Sequence, residues 1–165
     1  MPGQLSNPRD LLLQRLGDIL WVERMLAFEV LPQLYRQVQT QSLKRGVEAH
    51  LEQTRAHVDR VEQAFRRFEA EPSSNLSPPV AGLQSGHEEI AGQIVEPRLA
   101  DLFHATAAAH TEHYEIAAYR ALVALAGALG DATAVELLRR NLDDEQEMLK
   151  ELEKIVERLS NELAE

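Results

Sequence analysis

The stretch Glu71–Pro79, EPSSNLSPP, divides the chain into two halves. Prolines, three serines and an asparagine in nine residues make it a loop, because proline removes backbone donors and serine and asparagine hydrogen-bond their own backbone. Everything on either side reads as helix. The first helix opens after Asn7-Pro8, with Asn7 as N-cap and proline in the first turn, and runs over about 8–39. Pro32 lies inside it and predicts a kink, since its ring removes the hydrogen bond to the Phe28 carbonyl. The second helix covers about 42–69. Beyond the loop, a short glycine-weakened helix over about 80–94 precedes two long ones, about 97–129 and 132–163, separated at Gly130-Asp131. The first and last connections are tight, so each long pair is an antiparallel hairpin. The middle connection is about 27 residues long and can travel the length of a bundle, so the second and third long helices can run parallel. One domain over 1–165, all-α, with two antiparallel hairpins joined by a long crossover containing a short helix, is the ferritin-like four-helix bundle.

Composition agrees and excludes. Of 165 residues 44% are hydrophobic but only 5% aromatic, and leucine, alanine, glutamate, arginine and glutamine dominate, as suits helix. With no cysteine, disulfides, thiolate metal sites and cysteine nucleophiles are ruled out. A net charge of −10 argues against nucleic acid and is compatible with cations. No run approaches the ~20 apolar residues of a membrane span. The start, Met1-Pro2-Gly3-Gln4, has no charged segment followed by an apolar one, so a cytoplasmic address is expected.

Tracing each apolar stripe in steps of three and four exposes the informative feature. The first helix reads Leu13, Leu16, Leu20, Glu23, Ala27, Val30, Leu34. The third long helix reads Ala105, Ala108, Glu112, Glu115, Tyr119, Leu122, Ala126, Leu129, and the fourth reads Leu138, Leu142, Glu145, Leu149, Leu152, Val156, Leu159. Glutamate stands where core leucine is expected. On the second helix, Val47, Leu51, Thr54, Val58, Val61 and Phe65 centre the stripe, with His50 and His57 along one edge. Counting from the turns puts Glu115 opposite Glu145 and Glu23 opposite His57, with His50 about two turns away. Buried carboxylates need protonation, histidine or a metal to neutralise them. The metal ligand candidates are therefore Glu23, His50, His57, Glu112, Glu115 and Glu145.

A full two-metal set has a glutamate from two helices and Glu-x-x-His from each of the other two. Here Gln53 follows His50 at the three-residue spacing, and Met148 follows Glu145, so both pairs fall short of it. The metal-free alternative is a core of Glu–His and Glu–Tyr hydrogen bonds, with Tyr114 or Tyr119 as donors and Glu115 satisfied by His57. His104, His110 and His113 are read as non-ligands; His110 and His113 fall off the stripe and are assigned to surface or groove, and His87, beside Glu88 and Glu89, to solvent.

These residues carry a resemblance. Glu112–Tyr119, EHYEIAAY, resembles a signature of the YciE/YciF ferritin-like family. Ala49–Phe65, AHLEQTRAHVDRVEQAF, looks like its His-Leu-Glu-Glu-Thr segment, and Glu23–Pro32, ERMLAFEVLP, and Asn141–Leu149, NLDDEQEML, are similar to its other helices. The resemblance spans about 8–158 and implies a rubrerythrin-like bundle, a homodimer, a stress-associated role and metal binding. By position it carries over Glu23, His50, Glu112, Glu115 and Glu145, with Gln53 departing from a common glutamate. The function expected is a ferritin-like protein binding divalent metal, iron or manganese before zinc. If it is an enzyme, it is a metal oxidoreductase reacting with peroxide or dioxygen. The alternative is a non-catalytic dimeric helical protein that binds a partner and has a metal-free polar core.

Overall fold

The structure, a computed structural model, describes residues 4–165. Met1, Pro2 and Gly3, on which the reading of the N-terminus rests, lie outside the described residues. Asn7 opens α1 (Pro8–Met25), its side chain accepting from the Asp10 amide at 2.9 Å. The backbone then widens into one π-helical stretch, Leu26–Val30, before α2 (Leu31–Gln37). The Leu31 amide reaches back five residues to the Leu26 carbonyl. The expected disruption at Pro32 thus takes the form of a π-bulge just ahead of the proline, a feature frequent at functional sites.

The remaining helices are α3 (Gln41–Arg67), α4 (Pro78–Ala91), α5 (Pro97–Ala128) and α6 (Ala132–Ala164). No described residue is in a β-strand. Thr40 gives α3 no side-chain cap. Asp101 on α5 does so from across the bundle, accepting from Gln39 N at 3.1 Å and Thr40 N at 2.5 Å, so the buried carboxylate meets the positive end of the helix dipole. Both α3 and α5 end in Schellman motifs. At the end of α5, Asp131 N bonds Ala126 O and Gly130 takes φ +80°. At the end of α3, Ala70 N bonds Phe65 O with Glu69 in the left-handed position, φ +53°.

The long helices form a ring: α1 packs on α3, α3 on α6, α6 on α5 and α5 on α1. The crossover therefore joins the diagonal pair α3 and α5. It is pinned where Asn75 N bonds Gly17 O at 3.0 Å, an approach so close that a Cβ on Gly17 would lie 2.2 Å from the Asn75 amide nitrogen. Short helix α4 packs on α5, and Val80 is its only buried residue. Leucine, isoleucine, valine and phenylalanine fill the core, among them Leu12, Leu16, Val61, Phe65, Leu138 and Leu159. Asp131 caps α6 by accepting from Ala134 N at 2.8 Å and pairs with Arg67 at 3.0 Å. Asp131→Ala is expected to cost about 1 kcal/mol, read as a melting temperature roughly 2–4 °C lower.

A buried cluster of four glutamates and two histidines

Two helices, α6 and α3, face the interior differently from their traced stripes. On α6 the buried residues are Ala134, Leu138, Asn141, Glu145, Met148, Leu152, Ile155 and Leu159. Asn141, Met148 and Ile155 replace Leu142, Leu149 and Val156, which are only partly covered. On α3, His50 and His57 are not at the edge: they are 1% and 0% exposed. The neighbours decide this. Each long helix is flanked by two others in the ring, so its buried face is broad enough to take in residues beside the apolar seam.

Glu23 from α1, His50 and His57 from α3, Glu112 and Glu115 from α5 and Glu145 from α6 are all at most 3% exposed. Two groups of ligand atoms form. His57 Nδ1 lies 3.3 Å from Glu23 Oε2 and 2.9 Å from Glu145 Oε1. His50 Nε2 lies 3.3 Å from Glu112 Oε1 and 3.6 Å from Glu145 Oε2. Glu145 belongs to both groups, one oxygen in each. Despite these distances, among the described residues eight buried side-chain atoms make no hydrogen bond, and all eight belong to these six residues. Glu115 has neither oxygen partnered. The pairing of Glu115 with His57 in the metal-free alternative does not form.

The outer atoms of the histidines are held. His57 Nε2 meets Asp144 Oδ2 at 3.1 Å, and Asp144 is anchored by Arg60 at 3.0 Å. His50 Nδ1 faces Gln53 Oε1 at 3.4 Å. A ring nitrogen that donates outward leaves the other nitrogen's lone pair pointing inward, the arrangement that orients histidine towards a metal. Gln53 is thus a partner of His50 outside the cluster rather than a missing ligand. Thr54, spaced three before His57, is buried and turns its hydroxyl to the His50 carbonyl at 2.8 Å. Met148 sits beside Gly46, 3.9 Å from where a Cβ there would be.

A further chain runs from Tyr119, whose hydroxyl donates to Glu23 Oε1, to Asn141 Nδ2 at 2.9 Å and from Asn141 Oδ1 to Arg60 at 3.0 Å. Tyr114 instead meets Ser77 Oγ of the crossover at 2.9 Å. Asn141, Asp144 and Arg60 were not among the sequence candidates. The one signal for them is a run of polar side chains one turn from Glu145 and His57. His87 departs from the assignment to solvent: it is partly covered and hydrogen-bonds at 2.8 Å to His104, which is 7% exposed.

Charge is shared unevenly. Burial depresses His50, but the Glu112 and Glu145 charges overturn this and push it up to about 9. Burial likewise opposes protonation of His57, yet the Glu23 charge and the Asp144 hydrogen bond push it up to about 12. Glu145 rises to about 8, chiefly through burial, with the His50 charge pulling back. Burial, then the charges of Glu145, Glu23 and Glu112, hold Glu115 well above the usual carboxylate range. Two protonated histidines and two protonated glutamates would balance the cluster, and so would two divalent cations against four carboxylates.

Two sets of these atoms could hold a metal ion. Glu23, His57 and Glu145 offer atoms all within 4.8 Å of one another, and so do His50, Glu112 and Glu145. Carboxylate and neutral imidazole are the donors that suit first-row divalent metals.

The model of a family described as a domain of unknown function, DUF892, matches residues 7–165. The chain belongs to the DUF892 family. Protein YciF of Escherichia coli strain K12 is 29% identical over 146 residues, covering 86% of each chain. The crystal structure of the E. coli stress protein YciF superposes with a TM-score of 0.89 at 26% identity, over 95% of this chain and 99% of that one. YcfI from Rhodopseudomonas palustris superposes with a TM-score of 0.88 at 32% identity, over 93% and 97%. These matches bear out the resemblance to the YciE/YciF family and the all-α bundle with its crossover. Among the described residues no helix is long and apolar enough to cross a membrane.

Proposed function

We propose that this DUF892 protein binds two divalent first-row cations in the middle of the bundle, iron or manganese ahead of zinc. Glu23, His57 and one Glu145 oxygen would hold one ion; His50, Glu112 and the other Glu145 oxygen would hold the second. Glu115 completes the four carboxylates that neutralise them. The observation that carries this reading is the set of eight buried, unpartnered donor atoms confined to six side chains. Elsewhere in folded proteins such groups find partners, because each orphan costs about 1–3 kcal/mol. When bound, iron or manganese supplies electron transfer towards peroxide or dioxygen. The chain itself orients His57 through Asp144 and His50 through Gln53, directs the Tyr119 hydroxyl proton at Glu23, and keeps bulk water from the cluster. A cytoplasmic homodimer is the accompanying expectation, and a stress-linked role is supported by likeness to a protein described as a stress protein.

Calorimetric titration of metal-depleted protein with manganese(II), iron(II) or zinc(II), with elemental analysis after gel filtration, tests it. Two ions per chain are expected. No retained ion of any kind would leave the non-catalytic polar-core protein as the better account. Asp144→Ala frees the outer nitrogen of His57 and is expected to weaken binding about 10–100-fold.

A further inference from the structure

A cavity of about 50 Å³ lies beneath α4, between it, the π-bulge with α2, and α5. Its walls include Met25, Leu26, Val80, Leu83 and Ala107. Buried His50 and Glu112 also line it, so it adjoins one half of the cluster. On the outer side stand His87, half-buried, and its partner His104. His57, Glu23, Glu115 and Glu145 do not line it. This cavity therefore meets the cluster from the His50–Glu112 side.

The walls select. A water needs about 10–15 Å³ by this measure, so the space takes a few waters or one compact guest. Apolar walls and the Glu112 carboxylate disfavour anions. The His87–His104 pair stays neutral, since burial depresses both rings, and it offers a donor or acceptor to a neutral guest. The roof, α4, is fixed to α5 by the His87–His104 bond, the stacking of His87 on Phe103 at 5.3 Å, the buried Val80 and, at its N-terminus, the Ser77–Tyr114 hydrogen bond.

We propose that this cavity is a size-selective pocket that admits neutral hydrogen-bonding molecules as small as hydrogen peroxide to the His50–Glu112 side of the cluster and shuts out alkyl hydroperoxides. It deepens the metal reading by naming the substrate class of that site, yet it can be tested on metal-free protein because Met25 is a reporter in the wall. Its thioether sulfur attacks a peroxide oxygen, the S–O bond forms as O–O breaks, and water, or tert-butanol from the larger oxidant, leaves.

Metal-depleted full-length protein is treated with hydrogen peroxide or tert-butyl hydroperoxide, with free methionine added as the reference, and Met25 sulfoxide is followed by peptide mass spectrometry. The preference of Met25 for hydrogen peroxide should exceed that of free methionine by about tenfold or more. Ala107→Phe fills the cavity, and Leu83→Trp fills it from the roof should the first variant not fold. Either is expected to slow Met25 oxidation by hydrogen peroxide about tenfold with the wild-type metal count intact. Met25 selectivity equal to that of free methionine, or an unchanged rate in both folded variants, overturns the pocket. Selectivity in a protein that retains no metal keeps the pocket and removes the metal reading; two bound ions without selectivity do the reverse.

Discussion

Glu145→Ala should abolish metal retention at both positions, not one. Its two oxygens belong to different ligand groups, Oε1 beside His57 and Oε2 beside His50. Removing it leaves each group two donors, too few to hold an ion through gel filtration. Elemental analysis is expected to fall from two ions per chain to background, whereas Glu23→Ala should spare the His50 side. An equal half-loss in both variants would mean that Glu145 does not bridge. The same cluster should separate stability from binding. Glu115 is fully buried with both oxygens unpartnered. In the metal-free protein Glu115→Leu replaces an unsatisfied carboxyl by an apolar side chain and should stabilise by about 1–3 kcal/mol. Thermal melts check the gain, and titration with manganese(II) checks the accompanying loss of affinity.

The second large effect is a pH dependence whose sign reverses with metal. His50 rises from 6.5 to about 9, His57 from 6.5 to about 12 and Glu145 from 4.5 to about 8, and Glu115 is raised as well. In every case the folded state holds its proton more tightly than the unfolded chain does. That contribution is complete below the unfolded values and is lost as pH rises through the folded ones. Metal-free protein should therefore lose stability from about pH 4.5 up to about 12, where His57 gives up its proton, by about 1.4 kcal/mol per pH unit for each excess proton. Between pH 6 and 8 its melting temperature is expected to drop by about 5 °C or more. Only in more acidic solution, where Asp144 and Asp131 carry lowered values, does the trend turn over. Metal competes with those protons, so with manganese(II) in excess the melting temperature should rise with pH over the same range. A downward trend that excess metal does not reverse would favour the metal-free polar core.

Much of the cluster was legible because helical periodicity is rigid. Glu23, Glu112, Glu115 and Glu145 each fall on a repeat of three and four, and a carboxylate there has no apolar excuse. The histidines were harder. One sequence shows the angle between His50 and Val47 but not how wide a face the neighbours bury, so both rings were placed at an edge and proved central. Level-matching favoured His57 and resemblance favoured His50; the structure brings each into its own group, seven residues apart on one helix. Gln53 and Met148 looked like gaps in a ligand pattern defined by spacing. The first instead contacts the outer nitrogen of His50, and the second packs beside Gly46.

Sequence alone determined the helices, the loop at Glu71–Pro79, the crossover topology and the four inward carboxylates, because these follow from local backbone preference and a fixed rise and period along each helix. Tertiary structure decided the rest: the π-bulge before Pro32, the network from Asp144 through Arg60 and Asn141 to Tyr119, the His87–His104 pair, and the cavity that meets only one half of the cluster. All of these depend on how helices rotate and approach one another. That rotation is set by side chains distant in sequence, as Glu145 shows: its place on the stripe was readable, but its position between two histidines was decided by the three helices around it.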